Sequence, residues 1–296
     1  MMSNSGHVMS QTWRVSVVMP AYNEAATIGD VIRRTLDTGV VAEVVVVDDG
    51  STDGTAQAAE AAGARAVRNP YNIGNGASVR RGSLAATGDV VVMMDADGQH
   101  PPEAIPSLLA RLGEYDMVVA ARTRNSDTSK LRNFGNRMLI MVAEWISGRR
   151  IADLTSGFRA IKRDHLLEHL HLFPNRYSYP TTITLAMMMG GRFVAYEPVD
   201  AISRRVHGNS NISPVRDFLR FIAIMVRMVM LFSPQRLFVP MGGMLFLLSA
   251  VASTLQYIYT GGIHSAGLAL FLSSVYIACF GLLADQVALL RRKRHD

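Results

Sequence analysis

Val90-Val91-Val92-Met93-Met94-Asp95-Ala96-Asp97 decides how this chain is read. The apolar, β-branched run predicts a strand buried on both faces, with two carboxylates waiting at its carboxyl end. The same pattern recurs upstream. Residues 15–19 form an apolar run closed by Pro20-Ala21-Tyr22-Asn23-Glu24, and residues 43–47 form another closed by Asp48-Asp49-Gly50-Ser51. Further strands are predicted at 64–68 and 117–120, and helices at 25–36, 55–62 and 77–86. Strands alternating with helices predict an α/β fold, a mostly parallel sheet with helices on both faces. Such sheets bind ligands outside the carboxyl ends of their strands, so these three acidic strand ends are where chemistry is expected.

Asp95 and Asp97, two residues apart at a strand end, can converge on one divalent cation, with Gln99 and His100 close behind. Hard carboxylate oxygens suit Mg2+ or Mn2+, which also bridge phosphate oxygens. Asp48 and Asp49 suit the N–H edge of a base or ribose hydroxyls. The plainer reading of that stretch is an Asx-rich turn, with Asp53 or Ser51 capping the next helix. Gly74-Asn75-Gly76 opens a helix whose first N–H groups could approach phosphate; the plainer reading is that glycine only provides the turn. No P-loop signature is present, and no dinucleotide fingerprint follows the first strand.

The average composition, 49% hydrophobic and 18% charged, hides a segregation. Residues 237–284 contain no Asp, Glu, Lys or Arg. A bilayer span needs about 20 apolar residues, so two spans are expected, at 237–259 and 266–290. A wholly soluble enzyme and a large transporter are both excluded. Arg236 precedes the pair and Arg291, Arg292, Lys293 and Arg294 follow it, which places both ends in the cytoplasm. Residues 1–14 are polar and lack the apolar core of a signal peptide, so the N-terminal domain is expected on the same side. Residues 215–232 carry Arg216, Arg220 and Arg227 on a stripe among apolar residues, as an interfacial helix would. Residues 131–146 are a second such candidate, equally consistent with core packing. Asp285, near the end of the second span, is expected to reach the interface or pair with an arginine. Cys279 is the single cysteine, so no disulfide framework within the chain and no Cys-rich metal site exists. The net charge of +6 tracks the membrane segments, which disfavours nucleic acid as a partner.

Four motifs in order resemble the inverting family 2 glycosyltransferases. They are residues 20–24, 48–55, Asp95-Ala96-Asp97-Gly98-Gln99-His100-Pro101 and Thr155-Ser156-Gly157-Phe158-Arg159. The nearest branch is the polyprenyl-phosphate one, similar to dolichol-phosphate mannose synthases and bacterial undecaprenyl-phosphate glycosyltransferases. The resemblance implies a GT-A fold over 15–213 and a nucleotide-sugar donor. The other expected segments are a flexible terminus at 1–14, an amphipathic helix at 214–235, a two-helix transmembrane hairpin at 236–290 and a basic tail at 291–296. It also implies roles. Pro20, Tyr22, Glu24, Asp48 and Asp49 would hold the nucleotide. Asp95, Asp97 and Gln99 would form the Mg2+ or Mn2+ and diphosphate site, with Asp95 shared with the nucleotide and Asp97 counted as catalytic. Asp153 would be catalytic base or acceptor orienter. Arg122, Arg137 and Arg159 would meet the lipid phosphate, and Arg205 and Ser210 would close over the diphosphate. Two departures remove a cation, Asn75 and Asn211, where the family often has Lys; either Arg80, Arg81 or Arg204 compensates, or the donor differs from that of the mannose enzymes.

The reaction implied is single-displacement transfer of a sugar from a UDP- or GDP-linked donor to a polyprenyl phosphate at the cytoplasmic membrane face. Its product would be a lipid-monophosphate-linked sugar for envelope glycan or glycoprotein assembly. The acceptor phosphate is already an anion, so positioning should dominate. A homo-oligomer is expected, tetramers occurring in the bacterial subgroup. The competing readings are a related transferase with another acceptor, a processive polysaccharide synthase and a non-enzymatic scaffold. A synthase usually carries Gln-x-x-Arg-Trp; the only tryptophans here, Trp13 and Trp145, lie outside any such motif.

Overall fold

The computed structural model describes residues 13–122, 130–176, 178–200, 214–262 and 265–292. It divides into two compact units, residues 1–140 with 150–213, and residues 141–149 with 214–296.

The first unit is built on a seven-stranded sheet in the order β3-β2-β1-β4-β6-β5-β7. Its strands are β1 (Val15–Ala21), β2 (Glu43–Asp48), β3 (Arg65–Arg68), β4 (Val90–Met93), β5 (Met117–Arg122), β6 (Arg159–Lys162) and β7 (Val194–Val199). β6 runs antiparallel to both β4 and β5, and every other pairing is parallel. Alternation explains why β1 is buried at all seven residues. Val15, Val17 and Met19 pack with Ile28 and Val31 of α1 (Ile28–Asp37) and Leu108 of α4 (Ile105–Arg111). On the opposite face Val18 joins Val79 of α3 (Asn75–Ala85), Leu166 of α6 (Arg163–His169) and Ile183 of α7 (Tyr179–Met189). Helix α2 (Thr55–Ala61) adds Ala59 to the first of these layers.

The order places the site. From β1 the sheet grows through β2 and β3 on one side and β4 on the other, so the switch point lies between β1 and β4. β4 and β5 both oppose β6, so their carboxyl ends share one edge with the start of β6. The ends of β1, β2, β4 and β5 and the loop 153–158 therefore meet along that edge.

The five expected strands are all present. β6 and β7 add to them, being short and interrupted by Arg159, Glu197 and Pro198, without a periodic apolar run. Helix α1 starts three residues later than its expected position at 25, because residues 23–25 form a loop whose N–H groups are held by side chains elsewhere.

The second unit holds residues 141–149 of α5 (Lys130–Ser147 and the turn after it), α8 (Pro214–Phe232), α9 (Gln235–Thr260) and α10 (Ser265–Arg292). α9 and α10 are long and apolar enough to cross a membrane. They pack through small residues: the Ser249 hydroxyl donates to the Gly267 carbonyl at 2.8 Å, and Phe238 meets Phe280 edge-on. Phe221, Met225, Met228 and Val229 are buried along one stripe of α8, while Arg220 and Arg227 are exposed. Asp285 accepts from the Gln235 amide at 2.9 Å, and among the described residues no arginine pairs with it. Arg236 instead donates to the Ile146 carbonyl.

Candidate active site at the strand ends

β1 ends in Pro20 and Ala21, and the chain turns through Tyr22, Asn23 and Glu24. Asn23 takes φ 55°, a left-handed conformation that asparagine tolerates. Tyr22 is half exposed at the sheet edge. The turn is secured by the β2–α2 loop. Ser51 Oγ accepts from the Asn23 N–H, Thr55 Oγ1 from Glu24 and Asp53 Oδ2 from Ala25. Burial pushes the Asp53 carboxyl up, but hydrogen bonds from Thr55 and Ala25 outweigh it and hold its pKa below the ordinary value. Thr27 Oγ1 lies 3.2 Å from Glu24 Oε2 and 3.3 Å from the Ala96 carbonyl, tying this turn to the loop between the two aspartates.

The acidic pair after β2 divides its labour. Asp48 is buried and its Oδ1 accepts the Ser51 N–H at 2.8 Å; Arg68 Nε approaches its Oδ2 at 3.4 Å, close enough for ion pairing but without hydrogen-bond geometry. Asp49 accepts from Asn69 Nδ2 and from the N–H groups of Ile73 and Gly74, at 2.8–2.9 Å, pinning the loop that leads to α3. The first N–H groups of α3 are not an open anion cradle. Gly76 and Ala77 donate to the carbonyls of Arg176 and Asn175. A side chain at 76 would collide with the Pro174 carbonyl, which is why glycine stands there. Arg80 and Arg81, the candidates to replace the missing lysine, donate to Asn175 Oδ1 and to Arg68 O and Asn69 Oδ1.

Asp95 follows β4. Its N–H donates to His100 Nδ1 at 3.1 Å, and the His100 ring stacks on Phe158 with centroids 5.3 Å apart. Asp97 Oδ1 accepts the Gln99 N–H, closing the turn. Gly157 faces Asp95: a Cβ there would sit 3.1 Å from Asp95 Oδ2 and 3.3 Å from Tyr179 Oη. Among the described residues no group of three His, Cys, Asp or Glu side chains converges as a metal site. Two hard carboxylates without a third protein anion still fit Mg2+ or Mn2+, which keep positions for phosphate and water oxygens.

At the end of β5, Arg122 grips Asp153. Nε donates to Oδ2 at 2.8 Å, Nη2 to Oδ1 at 3.2 Å, and Nη2 also to Thr155 Oγ1 at 2.7 Å. Asp153 Oδ1 further accepts the N–H groups of Thr155 and Ser156. Burial pushes the Asp153 carboxyl up, yet Arg122 and the backbone donors hold it below the usual range.

Comparisons with known proteins bear on the family and the fold. The model of "Glycosyl transferase family 2" matches residues 16–170, more than half of the chain. The chain belongs to glycosyl transferase family 2. The "GtrB C-terminal hairpin" model matches residues 233–290, the span of α9 and α10. An undecaprenyl-phosphate 4-deoxy-4-formamido-L-arabinose transferase of Klebsiella pneumoniae is 32% identical over 248 residues, 79% of this chain and 73% of that protein. The protein of the same name from Proteus mirabilis is 29% identical over 298 residues, covering 93% and 88%. Among solved structures, glucosyl-3-phosphoglycerate synthase of Mycobacterium tuberculosis, in complex with Mn2+, UDP and glucosyl-3-phosphoglycerate, superposes with TM-score 0.59 at 25% identity, over 73% of this chain and 80% of that one. The sheet is thus that of a GT-A glycosyltransferase.

In this glycosyltransferase the sheet edge gathers Pro20, Tyr22, Glu24, Asp48, Asp49, Asp95, Asp97, Gln99, Arg122 and Asp153 at adjoining strand ends. Arg137 is exposed on α5. Arg205 and Ser210, with Arg204 and Asn211, lie outside the described residues. Arg159 is a correction. It is fully buried in β6, donating to the carbonyls of Ser156 and Pro180 and to Thr184 Oγ1, so no phosphate reaches it. Burial pushes its pKa down, with Tyr179, Tyr196, Asp153 and Asp95 pulling it back. Its work is to lock loop 153–157 onto α7. The Tyr179 phenol, pushed up by its own burial, sits beside Gly157 and Asp95; it falls outside every motif, and no sequence signal marks it.

Proposed function

We propose that this glycosyltransferase moves a sugar from a nucleotide-sugar to a polyprenyl phosphate, giving a lipid-monophosphate-linked sugar. The observation that carries the reading is the shared edge of the sheet. Asp95 and Asp97 end β4, and the Arg122–Asp153 pair ends β5, with only β6 between these strands. A donor diphosphate site and a cation fit for an acceptor phosphate thereby stand side by side. The names of the Klebsiella and Proteus relatives, and the hairpin match, support a lipid phosphate as acceptor.

Pro20, Tyr22 and Glu24 would form the nucleotide end of the sheet edge, with the buried Asp48–Asp49 pair shaping it from behind through the Ser51, Ile73 and Gly74 N–H groups. Asp95 and Asp97, with Gln99 beside them, would hold Mg2+ or Mn2+, whose chemistry is neutralising charge on the leaving diphosphate. Arg122 and Arg137 would receive the acceptor phosphate, Arg122 offering a planar fork suited to its oxygens. Asp153 is ionised and fully engaged, so it serves as orienter of Arg122 more than as base; an acceptor phosphate, already anionic, needs no strong base. Arg205 and Ser210 remain assigned to the diphosphate. The exposed apolar faces of α9 and α10 would place the catalytic unit at the cytoplasmic leaflet, with both termini cytoplasmic and the chain self-associated.

The test supplies a panel of UDP- and GDP-sugars with undecaprenyl phosphate to the full chain in membranes. A mild-acid-labile lipid-linked monosaccharide supports the proposal. Sugar found only on a water-soluble or diphosphate-linked acceptor, or in long polymer, refutes it.

A further inference from the structure

The turn after β1 contains three successive backbone donors, at Asn23, Glu24 and Ala25, that neither the sheet nor α1 satisfies. All three are taken by side chains of a single loop, 51–55. Asn23 N–H donates to Ser51 Oγ at 2.9 Å, Glu24 N–H to Thr55 Oγ1 at 2.9 Å, and Ala25 N–H to Asp53 Oδ2 at 3.1 Å. One bond returns, from the Thr52 N–H to Asn23 Oδ1 at 3.0 Å. Asp53 is the keystone. Its Oδ1 accepts both the N–H of Thr55, at 3.1 Å, and the Thr55 hydroxyl, at 2.5 Å. A hydroxyl has one proton. With that proton given to Asp53, the Thr55 lone pairs are left to face the Glu24 N–H. Asn23 is meanwhile held in its left-handed conformation from both sides, by its N–H and its side chain.

Ser51 and Thr55 are buried beneath the turn, so neither is available to a ligand. Tyr22 is half exposed above it and Glu24 partly so. Asp53 itself is exposed, so the clamp runs from the surface to the two buried hydroxyls that hold the turn.

We propose that Asp53, acting on the Ala25 N–H directly and on Glu24 through Thr55, is a positioning residue for the nucleotide-sugar donor: together with Ser51, which holds Asn23, it presets the Tyr22–Glu24 turn before the donor arrives. This rests on the reading of Tyr22 and Glu24 as nucleotide contacts. A preset turn spares binding the cost of ordering it, so the clamp governs donor affinity and leaves the transfer step alone. It explains why the acidic stretch after β2 continues to Asp53 and Thr55, well beyond the pair at the strand end.

The experiment uses the full chain in nanodiscs and the variants Asp53→Asn, Ser51→Ala and Ser51→Thr. Asp53→Asn keeps one acceptor oxygen and replaces the other with a donor, so it breaks the clamp without changing size. Hydrogen exchange, read with no substrate present, should be about tenfold faster at residues 23–25 in Asp53→Asn and Ser51→Ala. Donor KM should rise about tenfold in both, with kcat within about twofold and the undecaprenyl phosphate KM unchanged. Ser51→Thr, which keeps the hydroxyl, should restore wild-type values. Unchanged exchange, or a fall in kcat at constant donor KM, overturns the proposal. If the wild type transfers no sugar from any nucleotide, the proposed function fails, and the exchange measurement still decides whether the clamp exists.

Discussion

Arg122 and Asp153 form a two-point ion pair at the end of β5, with nitrogen–oxygen distances of 2.8 and 3.2 Å. The carboxylate is buried and the guanidinium half exposed. Asp153 is thus anchored from below by the Thr155 and Ser156 N–H groups while Arg122 lies at the surface of the strand ends. In the proposed reaction Asp153 is the support and Arg122 the reaching group.

Asp153→Asn keeps an acceptor for the Thr155 and Ser156 N–H groups but loses the charge that fixes Arg122. Turnover should fall and the acceptor KM rise, with about 1–2 kcal/mol of stability lost at pH 7. The pH dependence has a definite sign. The folded-state pKa of Asp153 lies below the ordinary 3.8, so its contribution is present above pH 4 and fades as pH falls through the folded-state value. The stability gap between wild type and Asp153→Asn, measured by thermal unfolding in detergent, should be flat from pH 6 to 8 and narrow below about pH 4.

Arg159 behaves oppositely to Arg122. Arg159→Met strips donors from the Ser156 and Pro180 carbonyls and from Thr184 inside the core. We expect a loss of about 3 kcal/mol or more. Arg122→Met, at a half-exposed site, should cost less stability and more activity. Unfolding and acceptor kinetics on the two variants check this; equal acceptor KM changes would return Arg159 to the phosphate site.

Much of this was legible beforehand because β1, β2 and β4 are continuous apolar runs ending in acidic clusters. Periodicity and position alone locate such strands and their carboxyl ends. Arg159 reads from sequence as a surface cation, because its burial depends on α7, whose packing no local pattern shows. For the Gly74-Asn75-Gly76 turn, sequence leaves a phosphate cradle and a plain turn both open, and only the fold shows carbonyls 175 and 176 occupying the N–H groups of Ala77 and Gly76. Tyr179 was invisible because its role comes from contact with Gly157, not from its neighbours in sequence.

Gly157→Ala tests how tightly the aspartate edge is built. The added methyl would press on Asp95 Oδ2 and Tyr179 Oη at 3.1 and 3.3 Å. At these distances the Asp95 carboxylate must give by a few tenths of an ångström, with the buried Tyr179 ring limiting where it can go. Displacements below about 1 Å in such sites cost up to 10²-fold in rate. Mn2+ affinity, read by paramagnetic resonance, should weaken in parallel while unfolding changes little. Wild-type Mn2+ affinity would place the metal elsewhere.

Asp97→Asn should lower turnover by about 10²–10³-fold, comparable to losing a main electrostatic stabiliser. Chelation of the wild type should abolish transfer, and Mg2+ or Mn2+ should restore it. Undiminished transfer after exhaustive chelation would remove the metal from the account.

The central claim is tested most directly by following radiolabelled sugar from a nucleotide donor into lipid, with the full chain and undecaprenyl phosphate in membranes. The account predicts one sugar on a mild-acid-labile lipid monophosphate, formed by the wild type and lost in Asp97→Asn. Label recovered solely in a water-soluble product, in a lipid diphosphate or in polymer would contradict it.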